Sequence, residues 1–142
     1  MKKYAFQLSS DDDLILLEAF VNDYPLVLAL DTAASQTVID WNALILAGCS
    51  IPQEQKMPNV VTVETAAGIM SVPIYDVANF KILGYNKPNF QVLTYDFLAK
   101  GLTSPYDGVL GLDFFRNQWL LSVDFIEEQL WIVQNKKIKI TL

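Results

Sequence analysis

Asp31 is the residue best placed to do chemistry. It heads the segment Asp31-Thr32-Ala33-Ala34-Ser35, which follows the apolar run Leu26-Val27-Leu28-Ala29-Leu30. A run of that length bounded by turn residues reads as a buried strand. A carboxyl then emerges from its end in a tight turn. Ionised carboxylates are costly against apolar surroundings unless paired or hydrogen-bonded, and groups with perturbed titration gather at functional sites. The plainer expectation makes Asp31 only the cap of a following helix.

Elimination narrows the chemistry. The chain has no histidine, which removes Ser-His and Cys-His catalysis and His-ligated metal sites. Its single cysteine, Cys49, can form neither an internal disulfide nor a thiolate zinc cluster. Cys49 closes an apolar helix-like segment and reads as a small packing residue. Carboxylate, hydroxyl, amide, lysine and arginine groups remain, and carboxylates are the versatile members.

At 142 residues, 52% of them apolar, the chain reads as one domain, 1–142, with enough apolar side chains for a real core. No apolar run is long enough to span a membrane as a helix. Met1-Lys2-Lys3 resembles the start of a signal peptide, but Gln7, Ser9, Ser10 and Asp11-Asp12-Asp13 interrupt any apolar stretch. The compartment is left open, with the cytoplasm favoured. Ten basic against 16 acidic residues give a net charge of −6, which repels phosphate backbones, so nucleic acid is not an expected partner. The basic cluster Lys136-Lys137-Lys139 reads as a solvated strand face.

The elements that must position Asp31 are mostly strands. Tyr4 to Leu8 alternates weakly, and Asp11 to Asp13 suggests a turn. Leu14 to Phe20 and Tyr24 to Leu30 form a hairpin about Asn22-Asp23. Thr37 to Ala47 carries Val38, Ile39, Trp41, Leu44 and Ile45 at helical spacing, with Asp40 at its start and Gly48 at its end. Pro52 to Pro58 is loop. Asn59 to Thr65 and Ile69 to Val77 make a second hairpin, turned at Ala66-Ala67-Gly68. Phe80 to Leu83 and Phe90 to Tyr95 flank a turn over Gly84 to Pro88. Leu98 to Asp107 is loop, Val109 to Leu112 is short and apolar, and Asp113 is expected to cap a brief helix. Trp119 to Phe125 and Gln129 to Val133 form a last hairpin about Glu127-Glu128. The tail, Lys136 to Leu142, alternates as a strand that must find a sheet in its own domain or a partner's. Short strands with one or two helices predict a mostly β sandwich or barrel.

The turn Asp31 to Ser35, taken with Val109-Leu110-Gly111-Leu112-Asp113-Phe114-Phe115, resembles the retropepsin-like aspartic proteases. That family places an Asp-Thr/Ser-Gly turn after an apolar strand, and later an apolar-apolar-Gly segment followed by a short helix. The glycine-tipped hairpin Val60 to Tyr75 resembles the family's flap. The resemblance covers most of the chain and implies a closed β-barrel, the acid protease fold, with one or two short helices. It departs from the family at Ala33, where glycine is usual. Glycine is needed there if the backbone demands positive φ or close approach.

The resemblance implies an aspartic endopeptidase that requires no metal or cofactor. The chain has one acidic turn, so activity implies a homodimer acting on a peptide or protein substrate through two symmetry-related Asp31 carboxyls. Thr32 would then reach across the twofold axis, and the Ala33 and Ala34 amides with Ser35 would hold Asp31. Thr65, Ala66, Ala67, Gly68, Ile69 and Met70 would close over substrate. Val109, Leu110 and Gly111 would be structural, with Gly111 allowing close backbone approach. Ala33 motivates an alternative, a non-catalytic dimer of the same fold that binds peptides or serves as a scaffold. A third possibility is an unrelated β-barrel binding module in which Asp31 is only a cap.

Overall fold

The computed structural model describes residues 2–10, 13–52, 59–65, 68–116 and 119–134. The tail 136–142, the loop residues 53–58, Asp11-Asp12 and Ala66-Ala67 lie outside the described residues. The N-terminal alternation splits into β1 (Tyr4–Ala5) and β2 (Gln7–Leu8), which serve different sheets. Phe6 between them is buried, and its N–H donates to the Glu128 carbonyl at 3.0 Å.

β3 (Ile15–Val21) and β4 (Tyr24–Leu30) form the expected antiparallel hairpin. Asn22 and Asp23 turn it with φ of +50° and +65°. Short polar side chains tolerate that left-handed region, which matches the twist of the flanking strands. The segment after the acidic turn differs from expectation. Val38–Asp40 is a strand, β5, and only Trp41–Leu46 is helix, α1. The apolar spacing suited one helix, but β-branched Val38 and Ile39 are held by strands on both sides. Asp40 caps α1 through its side chain, and Gly48 follows with φ of +82°.

β6 (Val60–Thr65) and β7 (Gly68–Ile82) pair as the second hairpin, with Gly68 at φ +119°. β7 continues past the expected break and returns as β8 (Tyr85–Tyr95). The turn is therefore Leu83-Gly84, at φ +53° and +80°, and not Gly84 to Pro88. Pro88 is tolerated inside β8 because β5 joins that strand only from Leu93 to Tyr95, leaving the other side of the ladder open at the proline.

The segment from Leu98 to Asp107, expected as loop, opens with a short 3-10 turn over Leu98–Lys100; β9 (Gly108–Leu110) follows, then a 3-10 turn over Leu112–Phe114. The last hairpin is β10 (Trp119–Asp124) and β11 (Gln129–Gln134). β10 ends one residue early because Asp124 Oδ1 accepts the Ile126 and Glu127 amides, at 3.0 and 3.1 Å, and folds the chain back.

The strands close on themselves. The order β3-β4-β9-β5-β8-β7 returns to β3 through the pairs Ala19↔Ile82 and Val21↔Phe80. This is the mostly β closed barrel that the sequence predicts, with one α-helix. Closure removes the exposed edges of an open sheet. β2 and β6 extend the sheet outside the ring, and β1, β11 and β10 form a separate three-stranded sheet. Leu28, Ile39, Phe80, Ile82, Val92 and Leu110 are buried in the core. Phe114 joins them, edge-on to Phe80 and Phe90 with ring centroids 6.1 Å away in each case. The core thus begins one residue after the Gly111-Leu112-Asp113 corner that packs against the acidic turn.

Candidate active site

Asp31 continues a parallel ladder. β4 and β9 pair through Ala29↔Val109 and Leu30↔Leu110, and the Asp31 N–H donates to the Leu110 carbonyl at 3.0 Å. The strand bonds therefore fix the backbone up to the residue that carries the carboxyl. Asp31 Oδ1 then accepts the Ala33 amide at 3.0 Å, and the Ala34 amide donates to the Asp31 carbonyl at 3.1 Å. The first bond is a side-chain turn of the type aspartate favours. It is not a helix cap, since the next helix is α1 and Asp40 caps it. Asp31 is half-buried.

The Ala34 amide holds the Asp31 main chain, while the carboxyl takes the Ala33 amide alone among the described residues. Thr32 and Ser35 are exposed, and the Thr32 hydroxyl makes no hydrogen bond within the described chain. Ala33 is exposed as well. Positive φ outside glycine occurs at Asp13, Asn22, Asp23, Leu83, Asn89 and Glu128, and Ala33 is not among them. The turn makes no left-handed demand there.

Gly111 is where side-chain size matters. A Cβ on Gly111 would meet the Gln36 carbonyl carbon at 2.7 Å and the Ala34 oxygen at 2.9 Å. β9 runs between β4 and β5, so the chain from Asp31 to Thr37 must arch over its end. The arch is tied down by the Leu112 amide, which donates to the Ala34 carbonyl at 2.8 Å. It is tied again by the Gly111 amide, which donates to Thr37 Oγ1 at 3.1 Å.

Thr37 and Asp113 were not singled out together by the sequence. Thr37 is fully buried; its hydroxyl donates to Asp113 Oδ1 at 2.7 Å and its amide to Oδ2 at 2.9 Å. Asp113 lies inside the 3-10 turn, whose cap position is Gly111 with no side-chain bond. Its carboxylate links the arch to β9 instead of capping a helix. The available signal was a hydroxyl entering an apolar strand and a carboxylate just after an apolar-apolar-Gly segment. Lys87 completes the corner: Nζ donates to the Asp113 carbonyl at 3.2 Å and lies over the Phe90 and Phe114 rings. Burial pushes its pKa down, and the nearby Asp113 charge opposes that shift.

A second acidic group braces the other end of β5. Asp40 Oδ1 accepts the Phe97 amide at 3.1 Å as well as capping α1. Asp96 Oδ1 accepts the Asn42 side-chain amide at 2.8 Å and the Ala99 amide at 3.1 Å. Asp107 takes the Val27 amide on Oδ2 at 2.9 Å, and its carbonyl takes the Asp40 amide at 2.7 Å. Burial pushes the Cys49 thiol up, a hydrogen bond to Tyr75 drawing it back less; the residue packs against the core.

A hollow of about 330 Å³ lies between the acidic turn and the β6–β7 hairpin. Ala33, Ala34, Ser35 and Gln36 line one side, and Val63, Glu64, Met70 and Val72 the other. Ile69, near the hairpin tip, is 75% exposed. Among the described residues no group of three or more Cys, Asp or Glu side chains is placed to hold a metal ion. Nor is any described helix long and apolar enough to cross a membrane.

Comparison with known proteins places these features. The profile of a family described as aspartyl protease matches residues 17–114, from β3 to the 3-10 turn. No curated protein sequence matches the chain. Among solved structures, a retropepsin-like aspartic protease from Rickettsia conorii is similar, with a TM-score of 0.65 and 17% identity over 94% of each chain. At that identity the likeness is one of fold.

Proposed function

The chain belongs to the aspartyl protease family, and from that premise we propose that two copies pair about a twofold axis to form an endopeptidase. Each contributes one Asp31 to a shared site. The observation that carries this is the setting of Asp31: it is fixed by the β4–β9 ladder, half-exposed, and beside a hollow roofed by a hairpin. The sequence holds one such turn, and twofold dimers are the commonest route from one turn to two.

Two carboxyls in contact cannot both ionise cheaply, so such a pair holds one proton, behaviour for which the aspartic-protease dyad is the standard example. The ionised member takes a proton from a water molecule as that water attacks the scissile carbonyl. The protonated member donates to the carbonyl oxygen. Collapse of the resulting tetrahedral species breaks the C–N bond, and the departing nitrogen takes up a proton. The two apparent pKa values belong to the pair. The Ala33 amide orients one oxygen of each carboxyl. Thr32, exposed on the turn, would donate across the axis and lock the two turns together.

The substrate would lie extended between the turn and the hairpin, adding backbone hydrogen bonds. Thr65 to Met70 would act as a flap, closing over the substrate and shutting out bulk water. The non-catalytic alternative draws on Ala33, which the backbone accommodates without left-handed strain. Incubating wild type and Asp31→Asn with an unfolded protein at about pH 4–6, where such a pair holds one proton, tests the proposal. Cleavage by wild type alone supports it. Equal cleavage by both proteins rules it out, and binding without cleavage by wild type selects the scaffold.

A further inference from the structure

β9, β5 and β8 lie side by side, with Val38 opposite Val109 on one flank and Leu93 on the other. Side chains alternate across a strand, so Val38, Val109, Leu93 and Tyr95 share one face. Ile39 and Thr94 take the opposite face and are fully buried. The shared face is the floor of two adjoining hollows. The first, about 330 Å³, lies beneath the β6–β7 hairpin and beside Ala33 and Ala34. The second, about 380 Å³, lies beneath the loop from Leu102 to Tyr106 and against Phe97. Val38 and Tyr95 line both.

Tyr95 is the large member of that pair. Its position is fixed by the parallel pairing of β8 with β5, opposite Asp40. Its ring leans on Phe97 with centroids 4.9 Å apart. Half-buried, it stands between the two hollows, and its hydroxyl makes no hydrogen bond within the described chain. A rigid ring held at both its backbone and its face is a wall, not a mobile lid.

We propose that Tyr95 is a specificity-determining residue, dividing the floor beside the acidic turn into two side-chain compartments and setting the size of side chain each accepts. The proposal rests on the protease reading for the identity of the ligand, an extended peptide. The first compartment, with Val38, Val63, Met70, Val72 and Leu93 around it, takes a compact aliphatic side chain. Replacing the ring with a smaller group joins the hollows and admits an aromatic side chain in its place.

The test compares wild type, Tyr95→Leu and Tyr95→Phe on peptides that differ only in carrying Leu, Phe or Trp beside the scissile bond. kcat/KM is measured for cleavable peptides, and Kd for the same peptides with a reduced, uncleavable bond. Tyr95→Leu is expected to shift the Trp-to-Leu preference by about tenfold or more, the scale on which pocket size discriminates. Tyr95→Phe keeps the ring and is expected to keep the wild-type ranking, which separates a lost wall from a damaged fold. A changed Kd ranking without cleavage by any of the proteins supports the compartments and refutes the protease reading. Cleavage with the same ranking in all three proteins refutes the compartments alone. Absence of binding to every peptide refutes both.

Discussion

The Thr37 hydroxyl donates to Asp113 Oδ1 at 2.7 Å, joining residues 76 positions apart. The Thr37 hydroxyl oxygen in turn accepts the Gly111 amide at 3.1 Å. One buried hydroxyl therefore ties the arch after Asp31 to the end of β9. Removing a partner from a buried group costs more than forming the bond gains. Thr37→Val is expected to lose about 1–3 kcal/mol of stability, measured by urea unfolding, because it leaves the Gly111 amide without its acceptor and takes the hydroxyl donor from Asp113 Oδ1. Thr37→Ser keeps the hydroxyl and is expected to lose less.

Gly111 and Ala33 are expected to respond differently to substitution. Gly111→Ala places a methyl against the Gln36 and Ala34 backbone. The arch must shift, at about 1–3 kcal/mol, and a fall in kcat larger than the change in KM is expected. Ala33 is exposed and outside the left-handed region. Ala33→Gly is expected to lower stability by about 0.4–1 kcal/mol through a more flexible unfolded chain, with activity retained. Thermal melts beside peptide cleavage check both.

Asp96 gives the barrel a pH-dependent brace. Its pKa is lowered from the ordinary 3.8, first by the Ala99 amide and then by the Asn42 side chain. A depressed folded-state value means stability that is fully present above 3.8 and is lost as the pH falls through the lower folded value. Asp96→Asn cannot ionise. Its Tm is expected to lie below that of wild type at neutral pH, with the gap closing in acid below pH 3.8. A gap that holds constant across that range contradicts the assignment.

Much of the barrel was legible in the sequence, because its long hairpins advertise themselves locally. Asn22-Asp23 marked the β3–β4 turn, and the alternation of Val61 and Val63 marked β6. The arch was harder to read. β5 is three residues long and exists through its neighbours β8 and β9, so the spacing from Val38 to Ile45 looked like one helix. The turn at Leu83-Gly84 was masked by the more conspicuous Asn86 and Pro88. Asp31 and Gly111 were visible as residue types in order, whereas Thr37–Asp113 and Tyr95 depend on which strands lie side by side. Local pattern carries hairpins; only the closed sheet carries those pairs.

The exposed hairpin tip offers a test of closure over substrate. Ile69 is 75% exposed, so Ile69→Asn is expected to change stability by no more than about 0.5 kcal/mol. If the hairpin acts as a flap, kcat/KM falls several-fold in the same variant. Unchanged kinetics with unchanged stability contradicts the flap.

The proposed sharing of a site by two Asp31 carboxyls is tested most directly by mixing subunits. Wild type is equilibrated with an equal amount of Asp31→Asn, and cleavage is measured per wild-type chain. Random pairing into dimers leaves about half of the wild-type chains with a variant partner, so activity per wild-type chain is expected to fall to about one half, and further with excess variant. Activity that stays constant at every ratio, under conditions where the chains exchange, contradicts a site built from two Asp31 residues.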